Sequence, residues 1–127
     1  MRPCNADNSS PRRRRRSRRR PATLVAAQGT QKVSPSVKML FDIYHAQIMD
    51  GDVCDTIKDN LQWIGHFHTA AVPGRHELDD TQELNYRFIA KTIADLGFTG
   101  YMAHEYRPTP GKDPLEVLRR TLDLMDV

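Results

Sequence analysis

Three apolar stretches of this chain each finish on a side chain that can hold a metal ion or move a proton: VKMLFD on Asp42, WIGHFH on His68 and TGYMAHE on Glu105. Two carboxylates and an imidazole, with no thiolate among them, suit a divalent cation such as Mn2+, Mg2+, Co2+ or Zn2+ rather than a structural zinc of the finger type. Such a cation polarises a carbonyl and steadies an enediolate while a carboxylate shuttles the proton. Polar residues also follow strands simply because a loop begins there. Position alone therefore leaves two readings open: one site, or three loop starts.

The elements that must position these residues are legible from hydrophobic period. Residues 37–42 suit a short strand buried on both sides, and Val53, Ile57 and Leu61 at four-residue spacing mark a helix. Residues 63–68 are the next strand. After the loop TAAVPGRHELDD, Asp80 with Glu83 reads as a capping box, followed by a stripe of Leu84, Phe88, Ile89, Ile93 and Leu96 that Gly97 ends. Residues 99–105 form the third strand. Past RPTPGK, Asp113 caps a last helix with Pro114 at its first position and Leu115, Leu118, Leu122 and Met125 inward. Strands alternating with helices predict βαβ units and a parallel sheet. In a parallel barrel all strand C-termini meet at one rim, so Asp42, His68 and Glu105 would converge there. Period-two alternation places His66 with His68, and Tyr101 and Ala103 with Glu105, on common sides. Three units are too few for a closed barrel, so the expected architecture is part of a larger one.

Charge divides the 127 residues sharply. Residues 1–22 carry nine arginines and one acid, Asp7, for a charge of +8; the remainder is −5, so the basic balance describes the arm only. An acidic body is ill suited to lie along phosphates. The run SPRRRRRSRRRPA reads as a disordered, solvated arm, with nucleic-acid binding or import as the alternative. Two cysteines, Cys4 and Cys54, build no disulfide framework, and no apolar run approaches membrane-span length. These features suggest a reducing, cytoplasmic setting and no membrane partner.

The segments D-x-Y-H (Asp42–His45), G-H-x-H (Gly65–His68), P-G-R-x-E (Pro73–Glu77) and the closing Glu105-Tyr106 together resemble the last three βα units of hydroxypyruvate isomerases, within the xylose-isomerase-like TIM barrels. The resemblance covers residues 36–127 and leaves 1–35 as a separate arginine-rich segment. It implies a partial (β/α)8 barrel of three C-terminal units. It further implies that Asp42, His68 and Glu105 hold the metal, Mn2+ or Mg2+ foremost, and that Glu105 also exchanges a proton with substrate. By the same resemblance His45 contacts substrate, and Arg75 grips its carboxylate or is merely a solvated loop arginine. Glu77 orients Arg75 or is simply exposed. His66 is either a hydrogen-bonded core residue or part of the site, whereas Trp63, Tyr86, Tyr101 and Tyr106 are expected to pack. His68 departs from the glutamine common in hydroxypyruvate isomerases and matches the related ketose 3-epimerases.

The implied reaction interconverts hydroxypyruvate and 2-hydroxy-3-oxopropanoate through an enediolate. A ketose 3-epimerase is the alternative on the same fold, and a nucleic-acid-binding or inert fragment the alternative outside it. The family's second glutamate belongs on an earlier strand, and residues 1–35 contain no glutamate. The expectation is thus a truncated barrel with little activity by itself and a small hydroxy-keto acid or ketose as ligand. Self-association is left open.

Overall fold

The computed structural model describes residues 34–127 together with Gly29; the expected disordered arm at 1–35 lies almost wholly outside them. Strand β1 (Met39–Asp42) runs directly into a short helix α1 (Ile43–Met49), followed by α2 (Val53–Asn60) and a 3-10 turn at Leu61–Trp63. Then come β2 (Ile64–Thr69), α3 (Tyr86–Asp95), β3 (Tyr101–His104) and α4 (Pro114–Met125). The strands form one sheet in the order β1-β2-β3, parallel throughout. This partial TIM-barrel arrangement agrees with the sequence reading.

Strand order without reversal, combined with right-handed crossovers, sends every helix to the same side of the sheet. Met39, Phe41, Ile64 and Phe67 accordingly enter one core with Ile43, Ile57, Ile89 and Ile93. Phe67 sits at its centre, with Phe41 and Phe98 meeting its ring edge-on at centroid distances of 5.8 and 4.8 Å. The other face is bare among the described residues: Leu40 is 49% and Tyr101 82% exposed. The expected burial of β1 on both sides, and the packing role of Tyr101, are therefore not met. Among the described residues no second layer lies against that face, and a parallel sheet needs cover on both. Gly65 belongs to β2 because a Cβ there would stand 2.6 Å from the Lys38 Cβ, so only glycine lets the two segments close up.

Two helices differ from their sequence signals. Helix α3 starts at Asn85, whose side chain accepts the Phe88 N–H at 3.1 Å, and not at Asp80. The acidic residues before it serve the loop: Asp79 accepts the Thr81 N–H and hydroxyl, and the Glu83 N–H donates to the Val72 carbonyl. Helix α4 has the expected Asp113 cap and Pro114 start. It buries Val117 and Thr121, however, and leaves Leu115, Leu118 and Leu122 exposed. Those leucines lie on flanks that α3, its neighbour here, does not reach.

Tyr86 fastens the core to the site-bearing strand. Its buried hydroxyl donates to the Ala70 carbonyl at 2.7 Å and accepts the Ala70 N–H at 3.1 Å, one residue past β2. Removing it leaves two buried backbone groups unpaired, at about 1–3 kcal/mol. Tyr86→Phe is expected to lower the urea midpoint accordingly without changing the slope of the transition.

Candidate active site

The pairing of the sheet sets the site. Asp42 lies beside His68, and His68 beside Ala103, so side chains at the ends of all three strands point from one rim on the bare side of the sheet. Glu105 follows β3 by one residue and is fixed there by its N–H, which donates to the Thr69 carbonyl at 2.9 Å. One ligand atom from each of Asp42, His68 and Glu105 falls within 4.8 Å of the others. Two hard carboxylate oxygens and one imidazole nitrogen, convergent and reachable from solvent, form a donor set that fits a divalent cation of the Mg2+ to Zn2+ group.

Asp42 divides its oxygens between fold and rim. Oδ1 accepts the His45 N–H at 3.2 Å and caps α1, while Oδ2 faces His45 Nε2 at 3.6 Å and Arg75 Nη2 at 3.5 Å. Glu105 Oε2 meets His68 Nδ1 at 2.9 Å and Arg75 Nη2 at 2.6 Å. The His68 hydrogen bond, aided by the Arg75 charge, holds the Glu105 carboxyl below its ordinary range.

Arg75 reaches this rim from the β2–α3 loop. Its own backbone is left-handed (φ 57°), directly after Gly74 at φ 92°, a turn that lifts the side chain over the strand ends. Its guanidinium touches His45 Nε2 at 3.0 Å, donates from Nε to the Glu105 carbonyl at 3.2 Å, and lies 5.0 Å from the centroid of the Tyr44 ring. Asp42, His45, His68, Arg75 and Glu105 are thus brought together, with His66 edge-on to His68 at 5.0 Å. Tyr44 is the neighbour that sequence reasoning missed, although it stands inside the D-x-Y-H segment.

Glu77 does not join them. Its side chain is 3% exposed and turned away, accepting the Thr109 N–H at 2.9 Å and hydroxyl at 3.1 Å, with Lys112 Nζ at 2.6 Å. The expectation that Glu77 orients Arg75 or is exposed gives way to a latch between the β2–α3 and β3–α4 loops. A second tie joins the same loops, the Arg107 N–H donating to the Arg75 carbonyl at 2.9 Å. Burial pushes the Glu77 pKa up, but Lys112 and Thr109 outweigh it and hold it at about 2. A carboxyl lowered on folding stabilises fully above its ordinary pKa, 4.5, and loses that stabilisation as pH falls towards 2. Glu77→Gln is expected to flatten the acid limb of a stability–pH curve across that window, measured by urea unfolding.

The sequence pattern of the Xylose isomerase-like TIM barrel family matches residues 7–126. The chain belongs to this family. A Danio rerio protein named "Putative hydroxypyruvate isomerase" is 42% identical over 97 residues, covering 75% of this chain and 35% of the relative. A 2-oxo-tetronate isomerase from Cupriavidus necator is 43% identical over 76 residues, 60% of this chain and 29% of that protein. Among solved structures, a family 2 AP endonuclease from Brucella melitensis superposes with a TM-score of 0.66 at 37% identity, covering 71% of this chain and 34% of that one. The chain spans about a third of the length of the relatives it matches. As a member of this family, it carries three of the family fold's strand ends on one rim. The AP endonuclease likeness concerns the same scaffold, and the rim described here holds one cluster of three donors rather than a basic groove.

Proposed function

We propose that the chain carries the metal-and-proton half of a hydroxypyruvate-isomerase-type site. The convergence of Asp42, His68 and Glu105, with Arg75 on the same rim, is the observation that supports it. The reaction moves one C–H proton from C3 to C2 of hydroxypyruvate and one O–H proton from O3 to O2, so it needs no oxidant. Asp42, His68 and Glu105 would hold a divalent cation, which supplies Lewis-acid polarisation of the substrate carbonyl. Glu105, ionised well below neutrality, would take one of the two carbon-proton steps, removal or return, and the family's second glutamate the other. Arg75 grips the substrate carboxylate through its fork of donors, and His45 hydrogen-bonds a substrate oxygen. The carboxylate grip favours a keto acid over a neutral ketose, and a longer 2-oxo acid such as 2-oxo-tetronate fits the same chemistry.

The other glutamates of the described residues are engaged elsewhere: Glu77 with Lys112, Glu83 with Gln47 and Glu116 with Arg120. With Glu105 as the only glutamate at the rim, the 127 residues by themselves are expected to run about 10²–10⁴ slower than a full-length relative, the usual weight of one proton-transfer group. The check is conversion of hydroxypyruvate by the purified chain with Mn2+, beside that relative, with and without EDTA. Turnover indifferent to EDTA, or faster with fructose than with hydroxypyruvate, contradicts the reading.

A further inference from the structure

The Arg75 guanidinium is not parked at the edge of the rim but lodged between its two carboxylates. Nη2 lies 2.6 Å from Glu105 Oε2 and 3.5 Å from Asp42 Oδ2. The same Glu105 oxygen also engages His68 Nδ1 at 2.9 Å. Both carboxylates of the donor set therefore face a positive charge that the chain itself supplies. A guanidinium and a divalent ion drawn to the same carboxylate oxygen compete for its electron density and repel each other, so each weakens the other's hold.

Arg75 has a second set of contacts that does not depend on the carboxylates. Its Nε donates to the Glu105 carbonyl, Nη1 meets His45, and its plane rests over Tyr44. Released from Asp42 and Glu105, the guanidinium stays at the rim, held by Nε and Nη1, with Nη2 freed for whatever anion enters. We infer that Arg75 and a divalent cation are alternative counterions for the Asp42–Glu105 pair, so that cation uptake hands Arg75 Nη2 to an incoming carboxylate ligand. This rests on the cation site proposed above. It adds an order of events, cation before carboxylate, and a coupling that must work in both directions: a carboxylate that draws Arg75 away also tightens the cation.

The sign of one substitution separates this from a supporting role for Arg75, in which its loss would loosen the rim and weaken cation binding. The experiment is Mn2+ titration of the full 127-residue chain at neutral pH, read as bound ion by electron paramagnetic resonance. Arg75→Gln is expected to bind Mn2+ about tenfold tighter than the unaltered chain. Arg75→Lys, which keeps the charge, is expected to stay near the unaltered value. Pyruvate, a plain 2-oxo carboxylate, is expected to tighten Mn2+ on the unaltered chain and to have no effect on Arg75→Gln; this arm needs no substitution to fold. Asp42→Asn removes a ligand and serves as control. If Asp42→Asn loses Mn2+ while Arg75→Gln binds no tighter than the unaltered chain, the counterion exchange is wrong and the cation site stands. If Asp42→Asn binds as the unaltered chain does, or neither the unaltered chain nor Arg75→Gln binds Mn2+, the cation site fails and takes the exchange with it.

Discussion

Glu105→Gln is expected to lower Mn2+ affinity at least about a hundredfold and to abolish whatever turnover the chain has. Outer groups that merely orient metal ligands already cost about 10–100-fold when changed, and Glu105 is proposed as a ligand itself. Its carboxylate is also the proposed proton carrier, so the amide would lose both functions at once. The fold should lose little: the Glu105 side chain is half exposed, its pairs with Arg75 and His68 lie at the open rim, and its backbone N–H still bonds Thr69. Exposed pairs of this kind are worth about 0.2–1 kcal/mol. Calorimetric Mn2+ titration, with a thermal melt on the same sample, reads both halves. Lost stability with unchanged Mn2+ binding would make Glu105 a structural residue.

Phe67→Ala is expected to remove cooperative folding under ordinary conditions. The ring has no solvent exposure, is clasped by Phe41 and Phe98, and comes from the central strand, which pairs on both sides. Truncating such a phenylalanine costs about 3–5 kcal/mol through lost transfer energy and the cavity left behind. A small domain holds only about 5–15 kcal/mol in total, and this sheet already has one face without a covering layer among the described residues. A broad, shallow urea transition with exposed-core dye binding is the expected result; a sharp one within 1 kcal/mol of the unaltered chain would place the true core elsewhere.

The rim was legible in the sequence because its logic is one-dimensional. A buried parallel strand is a short apolar run, and the next residue is the one the rim receives, so Asp42, His68 and Glu105 could be picked out without coordinates. Asp113 before Pro114 announced α4 for a similarly local reason. Helix α1 was missed because seven residues give too few turns for a period to show, and its cap, Asp42, had already been read as chemistry. The supposed box at Asp80 and Glu83 failed because both neighbouring needs, the Thr81 turn and the Val72 carbonyl, lie in the loop itself. Glu77 was unreadable for a different reason. Its partners Thr109 and Lys112 are more than thirty residues away, and a buried carboxylate with a distant ammonium looks the same in sequence as an exposed one. The direction of the α4 leucines depended on which element lies alongside, which no local pattern encodes.

The two oxygens of Asp42 carry different messages to the same carbon. One secures the opening amide of a seven-residue helix; the other belongs to the rim. Electron density drawn toward an arriving ion leaves its twin a poorer acceptor, and so short a helix has little else to anchor its start. Occupancy of the rim should consequently be audible in the backbone: the His45 amide becomes a built-in reporter, exchanging its proton with solvent faster once the ion is in place.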